Sequence, residues 1–336
     1  MKGKHFVSID QLSRDDVEML LAKTREMRGR RDLEVMRGRS AVFVFFNPSL
    51  RTRVSMEIAV AELGGKSVVL EVGQGGIWDL EWRDGVAMDA GPAEHVKEAA
   101  RVLSRYADLI GVRAFPRRIS LAEDMSDPII NAFARHATVP VVNLESCLHH
   151  PCQTLADICT MREKVGENPG KVVLSWGYHP KALPVAVPSS FALGVSKMGW
   201  DLTIAYPEGY DLPSEIMEAV RRNAKQHGGK VDIVHEREKA YRGAKVLYGK
   251  SWGSLRYYGR ERDEMADRRS RGLTSWVVDD KAMGWTDGAR FMHCLPVRRN
   301  VYVSDAVLDS PAAIHVDQAE NRLHVQKALL AAILGG

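Results

Sequence analysis

The segment from Asn47 to Arg53 has the residue types that bind an anion such as phosphate. It follows an apolar run that ends at Phe46, and it opens a stretch with helical periodicity. The N-terminus of a helix offers N–H groups and a partial positive charge, and Ser49 and Thr52 add hydroxyl groups. Arg51 adds a planar guanidinium whose fork matches phosphate oxygens. Three or four charge-assisted hydrogen bonds, each worth about 1.5 to 3 kcal/mol, suffice for micromolar binding before entropy is counted. A capped helix with solvated arginines is the alternative interpretation of the same residues.

The elements around this segment repeat a strand, a turn and an amphipathic stretch in both halves of the chain. Apolar runs rich in β-branched residues predict strands at 41–46, 68–70, 109–112, 140–144, 172–174, 202–205, 233–234, 246–248 and 291–295. Strands that alternate with helical stretches favour parallel sheets joined by crossover helices. The sequence therefore predicts an α/β protein with two doubly wound parallel-sheet domains.

A helix that begins at Pro151 marks the expected domain boundary, since proline is favoured at the first helical position. The 336 residues are about twice the usual length of a single domain. We expect one domain over residues 1–150 and a second over 151–317, with a terminal helix at 318–334 packed back on the first. Residues 253–274 are dense in charge and weak in periodicity, which predicts a mobile flap or insertion.

Composition excludes several classes of protein. The 47 basic and 43 acidic side chains are spread along the chain, so nucleic-acid binding is not expected. No run of about 18 apolar residues and no apolar signal-peptide core is present, which predicts a cytoplasmic protein without a membrane partner. The four cysteines match no zinc-binding spacing, and no Gly-x-Gly-x-x-Gly motif follows a predicted strand. We therefore expect reduced thiols, no metal and no nicotinamide or other cofactor.

Four segments together resemble the aspartate and ornithine carbamoyltransferase family. The Asn47–Arg53 segment is similar to its carbamoyl-phosphate signature, with Leu50 where the family more often has threonine. Gly111–Arg113, His150–Gln153 and His293–Pro296 follow in the order that the family requires. Each segment lies at the predicted carboxyl end of a strand or at the start of a helix, where α/β proteins bind ligands.

The resemblance implies a carbamoyltransferase whose active site stabilises the negative charge of a tetrahedral intermediate. The residues implied to be catalytic are Thr52, Arg113, His150 and Gln153. The first three would face the carbonyl oxygen, which gathers negative charge, and Gln153 would hold the carbamoyl NH2 group. The residues implied to bind carbamoyl phosphate are Ser49, Leu50, Arg51, Thr52, Trp78, Arg113, His150, Gln153, Cys294, Leu295 and Arg322. The family pattern also implies a homotrimer in which Trp78 comes from a neighbouring subunit.

The acceptor is predicted from the segment after the strand at 246–248. The branch that acts on ornithine itself has a Ser-Met-Gly loop there, whereas this chain has Lys250. A lysine repels an α-ammonium group but suits an α-carboxylate whose neighbouring nitrogen is acylated and uncharged. The chain is in this respect similar to the branch that acts on N-acylornithines. The residues implied to bind N-acylornithine are Glu145, Lys250, Leu295 and Arg298.

Two positions favour a succinyl over an acetyl group on the acceptor. The N-acetyl branch has a glutamate where Ala93 follows Pro92, and a lysine where this chain has Tyr302. A carboxylate near Ala93 would repel a succinyl tail, so N-succinyl-L-ornithine is the expected acceptor, in arginine biosynthesis. N-acetyl-L-ornithine is the alternative, and a non-catalytic anion-binding protein of the same fold is the second alternative. The candidates for the extra carboxylate of the succinyl group are Lys181, Arg256 and Arg299.

Overall fold

The computed structural model describes residues 1–73, 78–89 and 91–335. The chain divides into two units, each with its own parallel sheet. Unit 1 comprises Met1–Arg117, Ala122–Cys152 and Arg322–Gly336, and unit 2 comprises Arg118–Leu121 and Gln153–Asn321. The main division therefore falls inside the helix that begins at Pro151.

Unit 1 is built on a four-stranded sheet. The strands of its sequence range are β1 (Ser40–Phe45), β2 (Lys66–Glu71), β3 (Leu80–Glu81), β4 (Glu94–His95), β5 (Leu109–Arg113) and β6 (Val141–Glu145). The sheet has the order β2-β1-β5-β6 with all neighbours parallel, and β3 pairs with β4 apart from it. Strands β1, β5 and β6 are almost entirely buried, which explains their uninterrupted apolar runs.

The order of this sheet creates a switch point between β1 and β5. The chain leaves β1 toward β2 on one side and later enters β5 on the other side. In the ladder, Phe45 at the end of β1 pairs with Arg113 at the end of β5. Ligands of open α/β sheets bind in the crevice at such a point, outside the carboxyl ends of the strands.

Helices also lie in the part of the chain before residue 150, and local residue patterns explain where two of them begin. They are α1 (Arg14–Met27), α2 (Leu50–Glu62), α3 (Val96–Tyr106), α4 (Leu121–Met125) and α5 (Pro128–His136). Helix α1 begins with a capping box in which Ser13 and Asp16 bond each other's backbone N–H groups. Helix α2 has Ser49 as its N-cap, at the start that the anion-binding segment predicts.

Unit 2 carries a five-stranded sheet with the order β11-β10-β7-β8-β9, again with all neighbours parallel. Its strands are β7 (Val172–Trp176), β8 (Leu202–Ala205), β9 (Val231–Val234), β10 (Val246–Lys250) and β11 (Arg290–Met292). The switch point of this sheet lies between β7 and β10, where Trp176 pairs with Lys250. The predicted α/β class with two parallel sheets is confirmed.

The remaining helices connect these strands and close the chain. They are α6 (Pro151–Lys164), α7 (Ala186–Lys197), α8 (Ser214–His227), α9 (Arg237–Tyr241), α10 (Glu261–Ser270), α11 (Asp280–Gly284), α12 (Asp305–Leu308) and α13 (His315–Leu334). The end of α13 belongs to unit 1, where buried Lys327 donates to the Arg30 carbonyl at 2.7 Å and to Glu62 at 2.6 Å. None of the helices in the described ranges is long and apolar enough to cross a membrane.

Residues 253–274, expected to form a mobile flap or insertion, contain the ten-residue helix α10. Arg268 and Glu264 are fully buried and form an ion pair at 2.6 Å. The Arg268 guanidinium also donates to the Tyr210 hydroxyl at 3.0 Å and to the Trp252 carbonyl at 3.2 Å. Because the inward face of α10 carries paired charges instead of apolar groups, its sequence has the pattern of a solvated segment.

Candidate active site

The anion loop, defined as residues 46–53, joins β1 to α2 at the switch point of unit 1. Ser49 caps α2, and its hydroxyl accepts a hydrogen bond from the Thr52 N–H at 3.3 Å. A cleft opens beside the loop, lined by residues from Phe45 to Leu50 together with Arg53, Glu71 and Val72. Arg51 is half-buried in the first turn of the helix. Ser49, Arg51 and Thr52 therefore lie together at the start of α2, where a helix N-terminus favours an anion.

Arg113, Glu145 and His150 form a buried group in the same unit. The Arg113 Nη1 group donates to Glu145 Oε2, and His150 Nε2 lies 3.5 Å from that oxygen. Arg113 also lies over the ring of Phe115, with its guanidinium carbon 4.4 Å from the ring centroid. The buried Nε–H of Arg113 has no hydrogen-bond partner within the part of the chain that the structure describes. A buried donor of this kind costs free energy unless a ligand accepts from it.

Glu145 is expected to bind the acceptor, and in the structure its carboxylate contacts two other candidate residues. It lies in unit 1 and contacts Arg113 and His150, whereas Lys250 and Arg298 belong to unit 2. Its carboxylate orients two groups that are expected to face the carbonyl oxygen. Sequence patterns do not reveal this contact, because it joins the ends of β5 and β6.

Helix α13 contributes Arg322 to the anion loop. Its Nη2 group donates to the Thr52 hydroxyl at 3.1 Å, and both side chains are buried. Cys152, at the start of α6, has its pKa raised to about 11 by burial, with the nearby charge of Arg322 opposing the rise. The Cys152 thiol is thus neutral at physiological pH and packs as an apolar group.

His149, the neighbour of His150, gives a testable pH dependence. Burial lowers its pKa from 6.5 to about 4, and its Nδ1 lies 3.4 Å from the Ser8 hydroxyl. Between these two pH values the unfolded chain binds a proton that the folded protein does not, so the free energy of unfolding should fall as the pH is lowered. In urea titrations at pH 7 and pH 5, H149N should lose less stability than the wild type does. An equal loss in both proteins would show that His149 is not responsible.

Gln153 lies in unit 2, where its side chain is held by Asp157. The amide Nε2 donates to Asp157 Oδ1 at 2.8 Å, and Gln318 donates to the same oxygen at 2.6 Å. All three side chains are buried. Asp157 and Gln318 are absent from our sequence-based predictions, although Asp157 stands one helical turn after Gln153, which is a spacing that places two side chains together.

The segment after β11 places Cys294 and Leu295 in a constrained turn. The predicted strand at 291–295 ends at Met292, and the Leu295 N–H donates to His293 Nδ1 at 2.8 Å. Leu295 has a φ angle of 57°, in the left-handed region that side chains other than glycine rarely adopt. Such backbone strain persists where the surrounding structure enforces it, often at functional sites.

Lys250 and Arg298 contribute to a cationic cluster in unit 2. Lys250 ends β10 at the switch point, and the Nε group of Arg298 donates to His179 Nε2 at 3.1 Å. The pKa of His179 is lowered to about 4, mainly by burial and further by the charges of Arg298, Lys250 and Arg268. His179 is therefore neutral and can accept the Arg298 hydrogen bond. Our sequence-based prediction missed His179, although its place just after β7 is the available signal.

Tyr302 packs against the carboxyl-terminal part of β10. Its buried ring lies against Gly177 and Gly249, and a Cβ atom added at Gly177 would be 1.5 Å from the ring. Burial raises the pKa of the Tyr302 hydroxyl well above its usual value, so the side chain is neutral. An uncharged aromatic ring thus occupies a position where the N-acetyl branch resemblance implies lysine.

Trp78 and the acyl-specificity positions lie in unit 1. The indole N–H of Trp78 donates to Glu94, and its ring packs against the core of that unit. The glycine-rich residues 74–77 that precede it lie outside the described residues. Pro92 lines a second cleft, and Ala93 is exposed.

The three candidates for the succinyl carboxylate all lie in unit 2, and one of them is already paired. Arg299 binds Asp305 at 2.8 Å and Asp309 at 2.7 Å. These two carboxylates neutralise the Arg299 guanidinium, so the structure argues against that candidate. Arg256 lies over the ring of Tyr257, and Lys181 borders an open cleft with Glu261. Among the described residues, no cluster of histidine, cysteine, aspartate and glutamate is arranged to hold a metal ion.

Family models match both halves of the chain. Residues 4–163 match the model described as aspartate/ornithine carbamoyltransferase, carbamoyl-P binding domain. Residues 185–333 match the model described as aspartate/ornithine carbamoyltransferase, Asp/Orn binding domain. These two matches contain the anion loop, the Arg113–Glu145–His150 group and the cationic cluster except for His179.

Named relatives are similar over nearly the full length. The N-acetylornithine carbamoyltransferase of Xanthomonas campestris is 41% identical, over 100% of this chain and 99% of its own. The N-succinylornithine carbamoyltransferase of Bacteroides fragilis is 36% identical, over 95% of each chain. A solved structure, of a glutamate-to-alanine mutant of N-acetyl-L-ornithine transcarbamylase complexed with carbamyl phosphate and N-succinyl-L-norvaline, has a TM-score of 0.94 and 42% identity, over 98% of this chain and 99% of that chain.

Proposed function

The chain belongs to the aspartate/ornithine carbamoyltransferase family, and from that premise we propose that it carbamoylates the δ-amine of an N-acylated ornithine. The acceptor that we favour is N-succinyl-L-ornithine, which gives N-succinyl-L-citrulline and phosphate as a cytoplasmic step of arginine biosynthesis. The observation that carries this proposal is the Arg113–Glu145–His150 group beside the anion loop, at the switch point of the unit 1 sheet.

Carbamoyl phosphate is assigned to this part of unit 1. Ser49, Arg51 and the backbone N–H of Leu50 bind the phosphate, at the N-terminus of α2. Thr52, Arg113 and His150 stabilise the negative charge that develops on the carbonyl oxygen. Arg322, which donates to the Thr52 hydroxyl, also binds carbamoyl phosphate. Gln153, Cys294 and Leu295 of unit 2 are assigned to carbamoyl-phosphate binding, as the family resemblance implies. Trp78 is assigned to the site of a neighbouring subunit in a homotrimer.

The transfer requires a neutral amine. An alkyl amine of pKa about 10.4 is protonated at pH 7, so neutralising it costs about 4.6 kcal/mol. The δ-nitrogen then forms a bond with the carbonyl carbon, the bond from that carbon to the phosphate oxygen breaks, and the departing phosphate takes the amine proton. No protein side chain has to act as the base.

The acceptor is assigned to the cationic cluster of unit 2. Lys250 and Arg298 carry positive charges that can bind an α-carboxylate. His179 accepts a hydrogen bond from the Nε of Arg298 and so orients that guanidinium. Leu295 and Glu145 are assigned as the residues that contact the δ-amine of the acceptor. An α-ammonium group would add a third positive charge to the cluster, which disfavours ornithine itself.

Three observations support the succinyl acceptor. Ala93 has no carboxylate to repel a succinyl tail, and a glutamate-to-alanine mutant of a relative was crystallised with N-succinyl-L-norvaline. Tyr302 also differs from the lysine expected in the N-acetyl branch. N-acetyl-L-ornithine is the second candidate, and the higher identity to the N-acetylornithine relative favours it.

The exposed position of Ala93 allows a direct test of the acyl group. In A93E, kcat/KM for N-succinylornithine should fall about tenfold relative to N-acetylornithine, because the new carboxylate repels the succinyl carboxylate. A93Q is the matched control, since it adds similar bulk without charge. An unchanged ratio in A93E would place the choice of acyl group elsewhere.

The proposed function itself is tested by colorimetric detection of the ureido product. The purified protein is incubated with carbamoyl phosphate and with ornithine, N-acetylornithine or N-succinylornithine. We expect the fastest turnover with N-succinylornithine and the slowest with ornithine. No product from any acceptor would favour the non-catalytic alternative, and product from ornithine alone would refute the assignment of Lys250.

A further inference from the structure

We propose that Asp157 is a positioning residue that fixes the amide orientation of Gln153 and thereby makes the protein prefer carbamoyl phosphate over acetyl phosphate. This inference rests on the proposed function, and it names a residue absent from the sequence-based candidates. Asp157 and Gln153 lie one helical turn apart on α6, and both side chains are buried. Their contact joins Gln153 Nε2 to Asp157 Oδ1 at 2.8 Å.

The orientation of these groups is fixed by a backbone N–H group. The N–H of His293 can only donate, and it donates to Oε1 of Gln318 at 2.9 Å. The amide oxygen of Gln318 therefore faces His293, and its amide nitrogen faces Asp157, where Nε2 donates to Oδ1 at 2.6 Å. All three residues are buried in unit 2. Oδ1 of Asp157 is thus an accepting atom.

The same oxygen decides which end of the Gln153 amide faces Asp157. A carboxylate oxygen has two lone pairs, and Oδ1 uses the second one to accept from Gln153 Nε2. Because the nitrogen of the amide bonds Asp157, Gln153 contacts a ligand through its amide oxygen. That oxygen can accept from the NH2 of a carbamoyl group, but it forms no hydrogen bond with a methyl group in the same place.

The course of the chain keeps Gln153 close to a group assigned to carbamoyl phosphate. Gln153 lies in the first turn of α6, three residues after His150 of unit 1. Asp157 follows one turn further along the same helix. Asp157 therefore acts on Gln153 through α6 and through contacts inside unit 2.

The test measures the affinities for carbamoyl phosphate and acetyl phosphate by calorimetry. Acetyl phosphate has a methyl group where carbamoyl phosphate has NH2, and both carry the same phosphate. The wild type should bind carbamoyl phosphate about tenfold more tightly. In D157L, which has no acceptor for the amide, this ratio should fall about five- to tenfold, while acetyl-phosphate affinity should stay within about twofold. A merely structural role would weaken the binding of both phosphates alike.

The conservative variant D157N should keep most of the preference. Asparagine retains one accepting oxygen, and the nitrogen of Gln318, fixed from the His293 side, holds that oxygen toward the two amides. D317L is the matched control, because Asp317 of α13 pairs with Lys164 of α6 at 2.5 Å and so joins the same two helices. D317L should leave the ratio unchanged.

A double variant tests whether Asp157 acts through Gln153. Q153M removes the amide, so its affinity ratio should already be low, and the addition of D157L should lower it by less than about twofold more. If the urea transition of D157L shows that it does not fold, D157S takes its place. Serine is too short to reach the Gln153 amide, and it leaves room for a water molecule.

Several outcomes would overturn the inference. An unchanged ratio in D157L would do so, and so would equal losses for both phosphates or a D157N ratio as low as that of D157L. A wild type that forms ureido product but binds both phosphates equally would overturn it while leaving the proposed function in place. If the wild type forms no product from any acceptor, the proposed function fails, and calorimetry still decides the inference: a ratio lowered in D157L but kept in D157N supports it, and equal affinities or no binding refute it.

Discussion

Replacement of Arg51 by alanine should reduce kcat/KM for carbamoyl transfer by about 10²- to 10³-fold. The guanidinium lies in the first turn of α2, where the helix N-terminus and the Ser49 hydroxyl already favour an anion. Its loss removes charge-assisted hydrogen bonds to the phosphate in both the ground state and the transition state. Carbamoyl-phosphate affinity, measured by calorimetry, should therefore fall together with turnover.

Arg37 provides the control, as an exposed arginine of the same unit outside the anion loop. It pairs with Glu34 at 3.1 Å, and such surface pairs contribute about 1 kcal/mol or less. R37A should keep activity within about twofold of the wild type. Because Arg51 is only half-buried, R51A should unfold at nearly the same urea concentration as the wild type. Near wild-type turnover in R51A would contradict the assigned role.

Replacement of Lys250 by methionine should raise the KM for N-acylornithine by about a hundredfold or more. Lys250 ends β10 at the switch point of unit 2, close enough to His179 for its charge to lower the histidine pKa. Methionine keeps the apolar part of the side chain, so the change removes mainly the charge. The KM for carbamoyl phosphate should stay nearly constant, which steady-state kinetics with each substrate varied in turn will show.

The discrimination against ornithine gives a second measurement on the same variant. Without the lysine charge, the ratio of kcat/KM for N-succinylornithine and ornithine should decrease, since repulsion of the α-ammonium group is lost. Lys245→Met is the control, because Lys245 lies just before β10 and pairs with Asp287 at 2.6 Å. An increase in KM for carbamoyl phosphate instead of the acceptor would refute the assignment of Lys250.

The sequence alone determined the class of fold and the anion loop. Parallel strands that are buried on both faces have continuous apolar runs, and these runs locate β1, β5, β6 and β8 to within about a residue of each end. The helix starts at Ser49 and Pro151 also depend on neighbouring residues only. Signals of this kind are local, so they can be recognised before the chain is folded.

The tertiary structure decided which side chains work together. Arg113 meets Glu145 across 32 residues, Arg298 meets His179 across 119, and Arg322 meets Thr52 across 270. Each contact depends on the order of strands in a sheet or on the return of α13 to unit 1, and no local pattern encodes that order. The buried Glu264–Arg268 pair shows the same limit, because paired charges inside a protein have the sequence pattern of a solvated surface.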